Sequence, residues 1–369
     1  MQVTADSLVR GDASLGASQT RYASGAERCL ELEAGDGADR VSLSGNSHRL
    51  ELELTPQPAA DELRVMVKAL DMMPSERIRA IPGLVGFWDF SEPAGSERMS
   101  KWTPQDHALA EVGGPIARTA HGPVSGYSAY LDGRRHFVIP HDRTGDLNIH
   151  GTNAQVSMVA FIKIERMDSF IAGMWNSGSR EKGDDSGVRQ YALLLNVPEY
   201  GGRDRVCPHV SATGGFSRDT APDGTEYTLP WCGDHAVSAS KVALNRWVSV
   251  GFTYDGTWIK AYYNGVFEPQ PGHPERPALD LRDHDYYTKT CPGGGYRGMN
   301  PYYQPHGIYT FNPGDPGKLD TGSPFSVGAE IVGKDAHPRF KGWIGGLAVF
   351  DRALSEAEMR AIHNAALER

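Results

Sequence analysis

Two long segments, residues 176–243 and 266–324, are rich in Arg, His, Tyr and Trp, side chains that can support acid–base and binding chemistry. Arg or an amide can neutralise a substrate carboxylate, so that His or Tyr can remove the proton from the neighbouring carbon. The candidates for catalysis are His209, Tyr191, Arg189 and Tyr303. The candidates for substrate contact are Arg297, Asn300, Tyr302, Trp231 and Gln190.

Strand alternation predicts how these side chains are grouped. In the apolar run 188–195, Arg189 and Tyr191 point the same way, while His209 has its own face in the run 205–211. We expect one cleft lined by Arg189, Tyr191, His209, Arg297 and Tyr303. Because a cleft histidine lies outside the core, replacing His209 should leave folding nearly unchanged. The alternative is that Tyr191 and His209 are amphipathic residues at the edge of the core.

Other catalytic chemistries find no matching motif. The sequence has no Gly-x-Ser-x-Gly and no His-Glu-x-x-His, and its glycine clusters lack the flanking residues of phosphate loops. Loops longer than about 15 residues are usually functional or disordered, and the composition of these two favours ordered loops that bind a ligand. Aromatic rings such as those of Trp231 and Tyr302 can stack on sugars, or can fill small cores within the loops.

The C-terminal segment predicts a buried strand followed by a helix. Its apolar run, residues 344–350, is too short for a helix, and Gly345 and Gly346 predict that another backbone approaches closely. Ser355 and Glu358 have the spacing of a capping box, which predicts that a helix begins there.

Five segments in this order resemble the laminin-G-like domains of the concanavalin A-type jelly-roll superfamily. They are an opening strand at 85–90, an early hairpin at 130–140, a core strand at 155–163, a central hairpin at 246–265 with Asp-Gly and Asn-Gly turns, and the closing strand and helix. The resemblance implies an all-β fold, a concanavalin A-like antiparallel β-sandwich (jelly roll) with long ordered loop insertions and a short C-terminal helix.

The resemblance also implies a partner and a metal. Folds of this kind mostly handle glycans, so the expected partner is a glycan or polysaccharide in a concave-face cleft. Many laminin-G-like domains bind Ca²⁺, and Asp132 is the candidate ligand that this sequence retains. The family's closing strand contains Ile-Asp-Glu-Val, whereas residues 344–347 are Ile-Gly-Gly-Leu, so the usual acidic pair is missing.

Residues 1–82 are expected to form an N-terminal β-rich extension to a jelly-roll domain at 83–369. Apolar and polar residues alternate there, as in half-buried antiparallel strands, over 29–33, 41–44 and 50–54. Glu51 and Glu53 therefore share a face. They could be the acid and nucleophile of a glycosidase, but solvent-facing glutamates on an amphipathic strand are commoner.

Charge and hydropathy exclude two classes of partner. The 369-residue chain carries a formal net charge of −9, which provides no basic footprint for nucleic acid. No apolar run is long enough to cross a bilayer, so no membrane partner is expected. The N-terminus lacks the pattern of a secretion signal, which leaves the cell interior and export after removal of a leader both open, with export favoured.

The four cysteines include no Cys-x-x-Cys pair, so a zinc site is not expected. Cys207 and Cys232 flank a Gly- and Pro-rich insertion, and in an exported protein we expect them to form a disulfide. The alternative is that the thiols are reduced and half-buried.

Three functions are compatible with these features. The first is a carbohydrate-active protein, a polysaccharide lyase or glycoside hydrolase working within the inserted loops. The second is a non-catalytic, lectin-like carbohydrate-binding protein that uses the same cleft. The third is a structural or protein-interaction module. Because no conventional pair of catalytic carboxylates is present, the sequence leaves open whether the protein is an enzyme.

Overall fold

The computed structural model describes residues 40–44, 49–53, 73–167, 169–179, 185–198, 201–215, 217–220, 226–229, 235–269 and 300–368. The chain divides into two compact units, Met1–Ala69 and Leu70–Arg369. In the first unit, β1 (Arg40–Ser44) and β2 (Arg49–Glu53) form an antiparallel pair. These two strands are as predicted from the alternating pattern, while the segment 29–33 lies outside the described residues.

The second unit contains two large antiparallel sheets. The members of the seven-stranded sheet are β4 (Arg98–Met99), β5 (Ala108–Val112), β8 (His136–Ile139), β10 (Ser169–Met174), β11 (Tyr191–Val197), β12 (Gly202–Val210) and β19 (Phe325–Val327). Their spatial order is β12–β11–β10–β19–β8–β5–β4. Two neighbouring strands of this sheet, β11 and β12, belong to the first of the long insertions expected from the sequence.

The members of the nine-stranded sheet are β3 (Leu84–Trp88), β6 (Ala117–Ala120), β7 (Tyr127–Asp132), β9 (Val156–Ile164), β15 (Val248–Tyr254), β16 (Trp258–Tyr263), β17 (Val266–Phe267), β18 (Tyr302–Tyr303) and β22 (Lys341–Phe350). The main order is β17–β16–β15–β9–β22–β7–β6, with β18 beside β16 and β3 beside β22. Two small hairpins are formed by β13 (Ser217–Thr220) with β14 (Glu226–Leu229) and by β20 (Ala329–Val332) with β21 (Asp335–Pro338).

Both large sheets contribute apolar side chains to one core, which makes the unit a β-sandwich. Ile162 and Val250 of the nine-stranded sheet belong to the same buried cluster as Leu193 and Val210 of the seven-stranded sheet. Burying each such aliphatic side chain contributes about 1.5–3 kcal/mol. The all-β antiparallel sandwich predicted from the sequence is confirmed, and so is its short C-terminal helix.

The C-terminal helix, α2 (Glu356–Leu367), begins at the predicted capping box. The Ser355 hydroxyl accepts a hydrogen bond from the Glu358 amide at 3.2 Å, and the Glu358 carboxylate accepts one from the Ser355 amide at 2.8 Å. Met359 and Ile362 pack on the outer face of the nine-stranded sheet, in a cluster that includes Phe161. A short helix, α1 (Pro74–Arg79), adds Ile78 to the same cluster.

Gly345 and Gly346, two of the three glycines of the closing strand β22, lie where a neighbouring loop packs closely against the strand. A Cβ atom at Gly345 would be 2.5 Å from Pro123 Cδ and 2.9 Å from the Trp247 ring, and one at Gly346 would be 2.7 Å from Val124. The expected close approach is therefore present, and side chains rather than a backbone make it.

The expected early hairpin at 130–140 is wrong. Strand β7 belongs to the nine-stranded sheet and β8 to the seven-stranded sheet, so the chain crosses between the sheets here. Asp132 forms the turn, because its Oδ1 accepts hydrogen bonds from the amides of Arg134 at 2.9 Å and Arg135 at 3.2 Å. The Asp-Gly pair correctly predicted a turn, but a turn does not specify which sheet the next strand joins.

Within the described ranges, no helix is long and apolar enough to cross a membrane.

Candidate functional site

Tyr191, a candidate for catalysis, lies in the core of the sandwich. Its side chain is 0% exposed, and its hydroxyl donates a hydrogen bond of 2.6 Å to the carbonyl oxygen of Leu147. Burial raises the pKa of Tyr191 far above its usual range, and the nearby Asp146 carboxylate raises it further. Tyr191 therefore supports the structure and is not placed to act as a base.

His209 lies on the other face of the same sheet. In the pairing of β11 with β12, Ala192 is opposite His209 and Tyr191 is opposite Val210. Because side chains alternate between faces, Tyr191 points into the core and His209 points outward. The single cleft expected to contain both side chains is not formed.

On the outer face of the seven-stranded sheet, Trp175, Arg189, His209 and His235 form a cluster that we call the His209 group. The His209 ring centroid lies 4.2 Å from that of Trp175 and 4.2 Å from that of His235, both in edge-on arrangements. His209 Nδ1 and His235 Nε2 are 3.2 Å apart, and the backbones of the two histidines form a β-bridge. Trp175 and His209 are buried, whereas Arg189 and His235 are half-buried.

The electrostatics of this group favour a neutral His209. Burial lowers the pKa of His209 well below its usual value, and the neighbouring His235 and Arg189 lower it further. Neutral imidazole is the form that can accept a proton. In a hydrogen bond between two imidazoles, one ring donates and the other accepts, so His235 can relay a proton between His209 and the surroundings.

Arg189 is held in this group by its backbone and by its guanidinium. Its amide and its Nε donate to the carbonyl oxygen of Gly214 at 2.9 and 3.1 Å, and its Cζ lies 5.4 Å from the centroid of a Trp175 ring. Gly187 permits this approach, because a Cβ atom there would be 2.7 Å from the Gly214 oxygen. Arg189 and His209 are thus the two candidates for catalysis that the structure brings together.

A chain of hydrogen bonds fixes the orientation of Trp175. Its indole Nε1 donates to Ser177 Oγ at 2.9 Å, and that hydroxyl donates to Glu330 Oε1 at 2.9 Å. Asn176, which lies between Trp175 and Ser177 in the sequence, is buried. Its side chain donates to the Gly333 carbonyl at 2.8 Å and accepts from the Gly178 amide at 3.0 Å. Hydrogen bonds therefore link Trp175, a member of the His209 group, to the hairpin β20–β21.

Three predicted substrate-contact residues have structural roles instead. Gln190 is 0% exposed and donates to Asn148 Oδ1 at 2.8 Å. The buried Asn300 side chain accepts from the Ala261 amide at 2.8 Å and donates to the Ala261 carbonyl at 2.9 Å, as a neighbouring strand would. Tyr302 is buried in the main core. Their polarity suggested ligand contact, but all three side chains are buried, and the Gln190 and Asn300 amides donate hydrogen bonds within the protein.

Two other candidates, Trp231 and Arg297, lie outside the described residues. Tyr303 is described by its backbone, which pairs with Trp258 at the edge of the nine-stranded sheet. Trp175 and His235, which complete the His209 group, were missed by the sequence analysis. The one signal for Trp175 is its position directly after the apolar strand β10, and alternation alone gives no signal for His235.

The Asp132 carboxylate, expected as a calcium ligand, is used in the turn between the two sheets. Besides the two amides, it contacts Arg135, with 3.4 Å between Oδ2 and the guanidinium. Burial raises the pKa of Asp132, but the hydrogen bonds and Arg135 outweigh this effect, and the pKa lies below its usual value. In the part of the chain that the structure describes, no three His, Cys, Asp or Glu residues are grouped as a metal site.

Cys207 is a free, fully buried thiol, which contradicts the expected disulfide with Cys232. Its Sγ lies 3.5 Å from the carbonyl oxygens of Gly202 and Arg205, and burial raises its pKa to about 12. Cys232 lies outside the described residues. A thiol held in this protonated state is unreactive, so Cys207 has a packing role.

No family model and no curated protein matches this chain. Among solved structures, domain 4 of AbnA, a GH43 extracellular arabinanase from Geobacillus stearothermophilus in complex with arabinotriose, is 15% identical with a TM-score of 0.41, over 76% of this chain and 98% of that one. The binding domain of Paraclostridial Mosquitocidal Protein 1 is 10% identical with a TM-score of 0.41, over 78% of this chain and 53% of that one. A Trypanosoma rangeli sialidase mutant is 14% identical with a TM-score of 0.40, over 79% of this chain and 36% of that one. The likeness at these scores is coarse, and the chain spans about half of the toxin domain and about a third of the sialidase.

Proposed function

We propose that the protein binds a carbohydrate that carries carboxylate groups, and that the His209 group is the binding site. The observation that carries this proposal is the cluster of Arg189, His235 and His209 around Trp175 on one outer sheet face. We also propose that the sandwich is a laminin-G-like member of the concanavalin A-type superfamily.

The half-buried Arg189 and His235 supply the polar contacts. A guanidinium can bind a carboxylate through two parallel hydrogen bonds, which are stronger than those between neutral groups. The imidazole of His235 can bond to a sugar hydroxyl as donor or acceptor. Trp175 holds Arg189 through its ring, and its own orientation is fixed through Ser177. The contacts are therefore pre-organised, which lowers the entropy lost on binding.

A second candidate function, elimination at a uronate residue, is favoured by the neutral His209 and its contact with His235. Arg189 would neutralise the carboxylate of the uronate. The imidazole of His209 would accept the proton from the carbon next to that carboxylate. The electron pair of the broken C–H bond would form a C=C bond as the bond to the neighbouring glycosidic oxygen breaks. That oxygen would take up a proton, relayed through the histidines, and the products would be an unsaturated sugar and a new chain end.

The test is a panel of uronate-containing and neutral polysaccharides, with binding measured by calorimetry and elimination by the absorbance of the unsaturated product. We expect binding of at least one uronate polymer, and about a tenfold loss of affinity in Arg189→Ala, comparable to one charge-assisted hydrogen bond. Arg143→Ala, at an exposed arginine, is the matched control and should bind normally.

The outcomes separate the alternatives. Binding without product supports a lectin-like protein, and product that disappears in His209→Ala supports a lyase. Binding of no polysaccharide overturns the proposal and leaves the interaction module as the remaining hypothesis. Equal binding by wild type and Arg189→Ala overturns the His209 group as the binding site.

A further inference from the structure

A second surface lies on the outer face of the nine-stranded sheet, where α2 does not cover it. Tyr130 of β7, Trp343 of β22 and Lys163 of β9 are neighbours across three adjacent strands. The Tyr130 and Trp343 ring centroids are 4.9 Å apart, and Lys163 Nζ is 4.6 Å from the centroid of the Trp343 ring. All three side chains are half-buried. We call these three residues the Trp343 surface.

Polar groups surround the two rings. The Tyr130 hydroxyl donates to Glu165 Oε2 at 3.3 Å, and the same carboxylate oxygen lies 3.3 Å from Lys341 Nζ. Trp247 is also half-buried, and its ring lies beside Gly345, which belongs to the same strand as Trp343, β22. Aromatic rings next to fixed donors and acceptors match a sugar, which has apolar ring faces and hydroxyl edges.

The charge of this surface is positive, although the chain as a whole carries −9. The two carboxylates that act on Tyr130 already have cationic partners, Glu165 with Lys341 and Asp132 with Arg135. Among the described residues, Lys163 forms no ion pair, and its ammonium rests over the Trp343 ring. A cation over a ring face is attracted by the electron-rich face of the ring, which holds the side chain in place without neutralising its charge.

We propose that the Trp343 surface binds an anionic polysaccharide, with Lys163 contacting a carboxylate or sulfate group and the two rings contacting the sugar. It lies on the opposite sheet from the His209 group and is a second site, beyond the function proposed above. The surface area of two rings and one lysine is small compared with the roughly 800 Å² per partner that a stable protein interface buries, so a protein partner is not favoured. The acidic chain is unsuited to nucleic acid or to an anionic membrane, since both attract extended basic surfaces.

The experiment measures the binding of polygalacturonate, a sulfated galactan and dextran to the full chain by affinity electrophoresis, with Lys163→Gln, Lys163→Arg and the control Lys334→Gln, at an exposed lysine. We expect binding of one or both anionic polymers and none of dextran. Lys163→Gln should weaken binding about tenfold, as expected when one charge-assisted hydrogen bond is lost. Lys163→Arg should restore most of it, and Lys334→Gln should match wild type.

The two proposed sites are distinguished by combining variants. If both are correct, Arg189→Ala and Lys163→Gln each remove part of the binding, and the double variant removes more than either. Binding that Arg189→Ala weakens and Lys163→Gln leaves unchanged overturns the Trp343 surface alone. Equal binding of dextran, or equally tight and Lys163-dependent binding of single-stranded DNA or anionic lipid vesicles, also overturns it.

Discussion

At the scale of single residues, His209 is the side chain whose replacement tests both function and packing. It is 3% exposed and lies between the Trp175 and His235 rings, so the premise that His209 is a cleft residue outside the protein interior is wrong. We expect His209→Ala to destabilise the protein by about 2 kcal/mol, because it leaves a cavity beside Trp175.

Functionally, His209→Ala should lower turnover by about two to four orders of magnitude if the protein is a lyase. If the protein only binds, affinity should fall by about tenfold or less. Chemical denaturation and the polysaccharide panel measure the two effects separately. His150→Ala is the control, because His150 is exposed and its one hydrogen bond among the described residues is to Thr310 Oγ1, at 3.1 Å. Wild-type stability in His209→Ala would show that the ring is not packed as described.

Buried histidines should also make the stability of the protein depend on pH. His363 of α2 has its Nδ1 2.9 Å from Ser249 Oγ, and burial lowers its pKa, although Glu368 partly offsets this effect. The pKa of His363 is therefore lower in the native protein than in the unfolded chain, where it is about 6.5. As a result, the unfolded chain binds the proton more tightly than the native protein does. The contribution of His363 to the free energy of unfolding should be nearly constant above about pH 7 and should fall as the pH decreases below about 6.5.

Denaturation curves from pH 8 to pH 5 measure this dependence. His363→Gln keeps a hydrogen-bonding side chain but cannot titrate, so its stability should fall less steeply with acid. His209 and His136, whose pKa values burial also lowers, contribute to the slope that remains. His150→Gln should keep the wild-type slope. Identical slopes for wild type and His363→Gln would rule out His363 as a contributor.

At the scale of elements, the packing of the closing strand β22 depends on Gly345, which has no side chain. Gly345→Ala would place a Cβ atom 2.5 Å from Pro123 Cδ and 2.9 Å from the Trp247 ring. Overpacking of this kind costs about 1–3 kcal/mol. We expect Gly345→Ala to lower the free energy of unfolding by about this amount, as measured by urea denaturation.

A double-mutant cycle identifies the cause of that loss. Pro123→Ala removes the nearest clashing atom, so Gly345→Ala should cost less in the Pro123→Ala background than in wild type. Equal costs in the two backgrounds would mean that the loop at residue 123 does not restrict this strand.

At the scale of the whole molecule, all described strands of the two large sheets, together with α1 and α2, belong to the unit Leu70–Arg369. This unit contains the complete described sandwich core. We therefore expect a fragment of residues 70–369 to unfold in one cooperative urea transition and to keep the affinity of the full chain for the anionic polymers. A broad transition without a folded baseline would show that residues 1–69 are needed for folding.

The sequence by itself determined the features that depend on a few neighbouring residues. The Ser355–Glu358 capping box, the Asp-Gly and Asn-Gly turns around β16, and the strands β9, β15 and β22 follow from local hydrogen bonding, backbone preference and alternation. The order of these segments resembled that of concanavalin A-type domains, and this resemblance predicted the antiparallel sandwich.

Only the tertiary structure decided which sheet each strand joins and which face meets the core. Alternation placed Tyr191 and His209 on definite sides of their own strands, but the register of β11 against β12 set them on opposite faces of the sheet. The crossing from β7 to β8, and the meeting of His209 with His235, likewise depend on pairing between distant segments. Such pairing is selected by the packing of the entire core, because a one-residue shift in register exchanges the buried and exposed faces of a strand.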